Sequence, residues 1–129
     1  MKNNITSDYV PGVCNINHSE IAYRKKAVYV GVVATVTLFG VLYLLGVQAY
    51  TRVILFVPIF IAVIGYLQTK NKFCVAYGAS GKQNARNGSG TAEKVNDIDA
   101  RRKDKQRANA MNIQAAVLSI IFTIILVVV

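Results

Sequence analysis

The residues whose types and spacing come closest to a reactive site surround Cys74. Lys70, Lys72 and Lys82 lie near this cysteine in the sequence, and nearby cations favour the nucleophilic thiolate form of cysteine. This pattern suggests a reactive thiol, and in a eukaryote a juxtamembrane cysteine would also be a target for palmitoylation. The simpler interpretation, which we favour, is a small apolar residue at the edge of a membrane.

Three other patterns that suggest chemistry are too incomplete to predict a site. Cys14, His18 and Cys74 offer three metal ligands but lack the close pairs of a usual zinc site. The sequence GASGK at 78–82 resembles part of a phosphate loop, but the full spacing, the following Ser or Thr and a preceding strand are missing. No grouping of serine, cysteine and histidine supports nucleophilic catalysis. We therefore predict no enzyme, no catalytic residue, no metal and no cofactor, with bound lipids as the expected small molecules.

Three long apolar segments must position these residues. Residues 27–47 carry no charge and would extend roughly 31 Å as a helix, which matches the roughly 30 Å hydrocarbon core of a bilayer. A second apolar segment covers about 53–69, and only 48–52 remain for the turn, so the two helices should form an antiparallel hairpin. A third segment covers about 111–129. Because 129 residues are too few to cover three such helices, we predict an all-α, multi-pass membrane protein with three transmembrane helices.

The predicted organisation has four parts. A cytoplasmic N-terminal segment, 1–26, precedes the transmembrane hairpin, 27–77. A loop rich in Gly and Asn, 78–91, follows on the cytoplasmic side. A charged cytoplasmic helix, capped by Thr91, should then continue into the third transmembrane helix, so that the last part covers 92–129.

Basic residues near the spans predict the orientation of the chain. Ten lysines and arginines flank the spans on one side, whereas the short turn carries only Arg52. Because basic residues stay on the cytoplasmic side, the N-terminus should be cytoplasmic and the C-terminus outside. Most of the formal charge of +9 then faces anionic lipid headgroups, and the lack of interleaved aromatic residues argues against nucleic acid as a partner. The ten residues are Arg24, Lys25, Lys26, Lys70, Lys72, Arg101, Arg102, Lys103, Lys105 and Arg107.

Small residues at helical spacing predict where the spans pack. Apolar burial does not drive helix association in lipid, and small residues let helix backbones approach closely. Pro58 should kink the second span. No span contains Asp, Glu, Lys, Arg or His, which argues against a pump or a coupled transporter. The predicted packing residues are Ala27, Gly31 and Thr35 in the first span, Ala62 and Gly65 in the second, and Ala115, Ser119 and Thr123 in the third.

One segment resembles a known family. The pattern Cys74-x2-Tyr77-x3-Gly81 directly follows the hairpin, and residues 15–84 resemble the YgaP-type inner-membrane domain of bacteria. That domain is a two-helix hairpin, sometimes fused to a rhodanese sulfurtransferase domain. Val75 stands where the family typically has proline, and the third span lies outside the pattern. The resemblance implies a bacterial inner-membrane protein, and for Cys74 it suggests sulfur chemistry.

The residues before the first span add to this resemblance. In the family, an acidic residue and arginines typically precede the first helix, and Glu20 and Arg24 are similar in type and position. Many members of the family have no assigned activity. The resemblance therefore implies a location more than a function.

Three functions agree with these patterns. The leading hypothesis is a small non-catalytic membrane subunit that packs within a larger membrane protein complex and stabilises it, with other membrane subunits as partners. The second is a sulfur-handling or redox protein that acts through Cys74. The third is a small self-assembling pore of the holin kind, against which the shortage of polar residues on every span argues.

Overall fold

The computed structural model describes residues 9–85 and 92–129, and within them three helices are long and apolar enough to cross a membrane. The chain is therefore an all-α, multi-pass membrane protein. Its elements in order are α1 (His18–Leu44), a 3₁₀ helix (Ala49–Leu55), α2 (Phe56–Asn71), α3 (Val75–Ser80), β1 (Lys82–Gln83), β2 (Glu93–Lys94) and α4 (Ile98–Val128).

The second span lies between the other two. α2 packs against α1 on one side and against α4 on the other, whereas α1 and α4 make little contact with each other. The main cluster of buried apolar side chains joins α2 to α4 and consists of Leu67, Phe73, Ala108, Met111 and Ala115. The third helix thus packs on the hairpin of its own chain.

The turn of the hairpin comes earlier than the sequence predicts. α1 ends at Leu44 instead of 47, because Gly46 adopts a left-handed conformation (φ +64°) that most residues avoid. Residues 49–55 are already helical, in the 3₁₀ form. Pro58 lies in the first turn of α2, where a missing N–H interrupts few helical hydrogen bonds. Pro58, at which the sequence predicts a kink inside the span, therefore lies close to the junction of the 3₁₀ helix and α2.

The charged helix begins later than the sequence predicts. α4 starts at Ile98 rather than near residue 92, and the Asp97 side chain caps it by accepting a hydrogen bond from the backbone N–H two residues on. Glu93–Lys94 instead pair as a strand with Lys82–Gln83, which commits their backbone groups to the ladder. The predicted cap, Thr91, lies outside the described residues.

The polar parts of the chain gather at one end of the bundle, in a unit that we call the polar cap (residues 9–17, 72–85 and 93–104). The N-terminal segment joins the rest of the cap through a single bridge from Ile16 to Asn84, and a second bridge, from Val10 to Cys14, lies within the segment. The sequence predicts an N-terminal segment, the end of the hairpin, the start of a loop and a charged helix at these positions. The structure packs them into one unit with buried side chains from all three stretches.

Candidate functional site

Cys74 lies at the base of the polar cap, just before α3, and only 2% of its surface is exposed. The cation beside its sulfur is Arg24 of α1, whose Nη2 donates to Sγ over 2.8 Å. The sequence drew attention to lysines around Cys74 and not to this arginine, which is 50 residues away in the chain.

Glu20 completes a group that we call the Cys74 cluster, formed by Glu20, Arg24, Cys74, Tyr77 and Asn84. The Glu20 carboxylate accepts hydrogen bonds from Arg24 Nη1 (2.5 Å), Tyr77 Oη (3.2 Å) and Asn84 Nδ2 (2.9 Å). The Arg24 guanidinium also lies 5.8 Å from the centre of the Tyr77 ring, within reach of a cation–π interaction. Burial and the Glu20 carboxylate raise the pKa of Tyr77, because both disfavour a phenolate there.

Local structure explains how α1 supplies two members of the cluster. Asn17 caps the helix by accepting a hydrogen bond from the Glu20 backbone N–H (3.0 Å), a usual role for asparagine at this position. Glu20 and Arg24 are four residues apart, so they lie on one face of the first turns. That face is turned toward Cys74.

Asn15 fixes the backbone of Cys74. Its Oδ1 accepts from Cys74 N over 2.6 Å, and its Nδ2 donates to Cys74 O over 3.2 Å. Its own backbone N–H donates to Lys72 O, and its own C=O accepts from Asn84 N. The fully buried Asn15 therefore binds the segment around Cys74 as a neighbouring strand would. The role of Asn15 cannot be predicted from the sequence, because its partner lies 59 residues away and no local pattern marks it.

The cleft beside the cluster exposes its polar members rather than the sulfur. This opening of about 430 Å³ is lined by Glu20, Tyr23, Arg24, Tyr77 and neighbouring residues, but not by Cys74. Reactive cysteines usually lie in partly exposed, electropositive surroundings. Cys74 has the nearby cation but not the exposure. Among the described residues, no three His, Cys, Asp or Glu side chains are grouped so that they could hold a metal ion.

The small residues of the first two spans lie where α1 and α2 meet. A Cβ atom on Gly31 would come within 2.7 Å of the Ala62 backbone nitrogen, and one on Gly65 would crowd α1. The Thr35 hydroxyl bonds back to Gly31 O over 2.7 Å, and Ala27 is half-buried. The two backbones therefore approach more closely at Gly31 than any larger residue would permit.

The small residues of the third span lie on the buried side of α4. Ala115 and Ser119 are fully buried, and Thr123 is nearly so. Ala115 belongs to the apolar cluster that joins α4 to α2. The Thr123 hydroxyl donates to Ser119 O over 2.7 Å, so its polarity is satisfied within the helix.

Three of the ten basic residues predicted to face lipid headgroups make hydrogen bonds within the protein. Arg24 lies in the Cys74 cluster, Arg101 Nε donates to Val95 O (2.6 Å), and Arg107 Nη2 donates to Asn71 Oδ1 (2.7 Å). These arginines hold the cap and the helix ends together, because a guanidinium offers several directed donors. The exposed members of the set are Lys25, Lys26, Lys70, Lys72, Arg102, Lys103 and Lys105.

Asp104 ties the N-terminal segment to α4. It is fully buried and accepts hydrogen bonds from Tyr9 Oη (2.6 Å) and from the backbone N–H of Gly12 (2.7 Å). Burial and this carboxylate raise the pKa of Tyr9. The role of Asp104 cannot be predicted from the sequence, since in sequence it resembles any other charge on a solvated helix.

The opposite end of the bundle depends on Arg52. Its Nη1 donates to Leu126 O over 3.3 Å, one of the last carbonyls of α4, which lack partners within the helix. Its guanidinium also lies 5.7 Å from the ring centre of Phe39 and 5.5 Å from that of Tyr43. Arg52 therefore joins the turn to both α1 and α4.

Comparison of the chain with known protein families, curated proteins and solved structures gives no match. The resemblance of residues 15–84 to the YgaP-type domain therefore stays a prediction.

Proposed function

We propose that this chain is a small non-catalytic membrane subunit that packs within a larger membrane protein complex and stabilises it. The observation that carries the proposal is that α1 is held at both ends but is mostly uncovered by the rest of the chain. Its start is fixed by Glu20 and Arg24, and Arg52 contacts it near its end. Yet Gly31 is the only residue of this 27-residue helix that is buried. A helix held so firmly and covered so little is suited to receive another subunit.

The open side of α1 has the composition of a helix-packing surface. Val33 is 64% exposed, and a side chain at Gly40 would meet nothing within 4 Å. Together with Thr37, these residues lie on the side of the helix turned away from Gly31, at spacings of about one turn. Small and β-branched residues present a flat surface on which another transmembrane helix could pack closely.

The proposed location is the bacterial inner membrane, with the polar cap and N-terminus in the cytoplasm and the C-terminus outside. The distribution of exposed lysines supports this orientation, because Lys25, Lys26, Lys70 and Lys72 all lie at the cap end of the spans. Basic residues near span ends favour the cytoplasmic side. At the far end the charge of Arg52 is engaged with two rings and a carbonyl.

The test is the size of the particle that carries the chain after native membranes are solubilised in a mild detergent. We expect a large particle with stoichiometric partner subunits. Val33→Trp, on the open side of α1, should release the chain from it. The matched control is Ile124→Trp, at an exposed position of α4 (56% exposed), which should stay in the large particle. A small homo-oligomer in the native membrane would refute the proposal.

A second candidate function is thiol or sulfur chemistry at Cys74. The observation in its favour is the guanidinium of Arg24 at 2.8 Å from the sulfur, and the burial of Cys74 weighs against it. Cys74→Ser, with Cys14→Ser as the matched control, separates the two functions. Growth and assembly that are unchanged in Cys74→Ser would exclude the thiol function.

A further inference from the structure

An apolar groove of about 540 Å³ runs along the bundle between the first and third spans. Residues 28–36 of α1 and 118–126 of α4 form its walls, and residues 59–66 of α2 form its floor. It arises because α2 separates α1 from α4. Each wall extends over eight residue steps, or roughly 12 Å. The volume lies in the roughly 300–1,000 Å³ range of sites for small organic ligands.

Two lysines stand at the polar-cap end of the groove. Lys25 comes three residues before Val28, the first lining residue of α1, and Lys70 comes four residues after Tyr66, the last lining residue of α2. Spacings of three and four residues place side chains on the same helix face. Both lysines are exposed, and neither takes part in an ion pair among the described residues.

We propose that this groove binds an acyl chain of an anionic phospholipid, whose phosphate lies between Lys25 and Lys70. Apolar walls suit a hydrocarbon chain, and two unpaired ammonium groups at the edge of the hydrocarbon layer suit a phosphate. This site is more specific than the general attraction of a basic face for anionic lipids, because it names one groove and two lysines. It does not depend on the larger assembly proposed above.

Charge also distinguishes a lipid from a second copy of the chain as the occupant. All copies insert with the same orientation, so a second copy whose hairpin packs against the groove would bring its own Lys25 and Lys70 to the same depth. Like charges at that level repel, whereas a lipid phosphate neutralises them. The lipid is therefore the complementary occupant.

The test uses the purified full-length chain in detergent, with lipid binding measured by native mass spectrometry. Phosphatidylglycerol is compared with phosphatidylcholine of the same acyl chains. We expect the wild-type chain to prefer phosphatidylglycerol and Lys25→Gln/Lys70→Gln to lose that preference by roughly ten- to thirty-fold, since each lysine near a membrane surface contributes about one tenfold step or less. Lys26→Gln/Lys72→Gln removes the same charge beside the same helix ends and should keep the preference.

A second variant tests the groove itself. Val32→Trp places a large ring among the lining residues and should reduce the binding of both lipids without removing the preference for the anionic one in whatever binding remains. Equal losses in the two lysine pairs would overturn the proposal in favour of general charge attraction. Unchanged lipid binding in Val32→Trp would also overturn it. A dimer that Val32→Trp abolishes, without bound lipid, would identify a second copy as the occupant.

Discussion

At the polar cap the bundle is closed by several buried polar side chains, whereas at the opposite end Arg52 does most of this work. The buried Asn15 and Asp104, and the partly buried Glu20 in the first turn of α1 beside the cap, each make two or more hydrogen bonds there. Arg52 makes one hydrogen bond to Leu126 O and lies over two aromatic rings. The cap thus fixes the order and spacing of the helices, and at the far end one side chain, Arg52, joins them.

The difference follows from the solvent. Between the two ends the helices meet through small residues such as Gly31 and Ala115, and in lipid such contacts gain little from apolar burial. Hydrogen bonds are strong and directional where water is excluded. A chain that must hold three spans in one arrangement therefore concentrates its polar contacts outside the apolar segments, and this chain concentrates most of them on one side.

The largest expected effect comes from Asn15→Ala in the cap. The change leaves the buried N–H of Cys74 without a partner, which costs about 1–3 kcal/mol. It also removes one of the two hydrogen bonds to the Cys74 C=O, which keeps the bond from Gly78 N. We expect the free energy of unfolding to fall by about 3 kcal/mol, measured by denaturant titration in mixed micelles. Asn112→Ala, at an exposed position of α4, is the control and should change it by less than about 0.5 kcal/mol. Equal effects of the two variants would contradict this account of the cap.

Arg52→Gln at the far end should have a smaller effect. It removes the cation over Phe39 and Tyr43 and weakens the bond to Leu126 O, a loss of about 1–2 kcal/mol. Hydrogen exchange should increase in the last turn of α4 and stay unchanged around Asn15. Arg102→Gln, whose side chain is 66% exposed, serves as the control. If Arg52→Gln lowers the free energy of unfolding more than Asn15→Ala does, the far end, and not the cap, makes the larger contribution to stability.

Alkaline pH should loosen the cap. The pKa values of Tyr9 and Tyr77 are raised in the folded chain. Their contribution to the free energy of unfolding is therefore complete below the unfolded tyrosine pKa of about 10. It is lost as the pH rises through the pKa values of the folded chain. Tyr9→Phe should weaken this pH dependence and, through the lost bond to Asp104, lower stability at neutral pH by about 1 kcal/mol. Tyr50→Phe, at a residue 71% exposed, should keep the dependence. An identical alkaline profile in Tyr9→Phe would exclude the role given to Tyr9.

The smallest effect is expected from Asp99→Asn on the surface of the cap. Asp99 pairs with Arg102 over 3.5 Å, and both side chains are mostly exposed. Exposed ion pairs contribute about 0–1 kcal/mol, so the change in unfolding free energy should lie within that range and shrink at high salt. A loss as large as that of Asn15→Ala would mean that surface charge, rather than buried hydrogen bonds, stabilises the cap.

The sequence predicts the spans well because their signal is local. Apolar length alone identifies three transmembrane helices, and the structure confirms the all-α, multi-pass class. The cap is not predictable in this way, since Asn15 and Asp104 take their roles from partners 59 and more than 90 residues away. α4 starts later than the local pattern predicts, because Glu93–Lys94 pair as a strand with a second short segment, Lys82–Gln83, that is distant from α4 in the sequence.

The candidate site, too, is only partly predictable from the sequence. The sequence drew attention to Cys74, but it surrounded that residue with lysines, whereas the structure pairs the sulfur with Arg24. Only the family resemblance draws attention to Glu20, and Arg24 is otherwise one of the ten basic residues near the spans. Their meeting with Tyr77 and Asn84 requires the hairpin to close, and spacing along the chain does not reveal it.

The two points at which α4 is attached to the rest of the chain lie a fixed distance apart along the helix. Asp104 binds the cap, and Leu126 O binds Arg52, and 22 residue steps of helix between them extend roughly 33 Å. That distance is close to the thickness of a bilayer's hydrocarbon layer. A helix held at both ends cannot tilt relative to its neighbours to absorb hydrophobic mismatch. In a thinner or thicker bilayer the whole bundle must therefore tilt or the bilayer must deform, at a cost that sorts proteins among membranes.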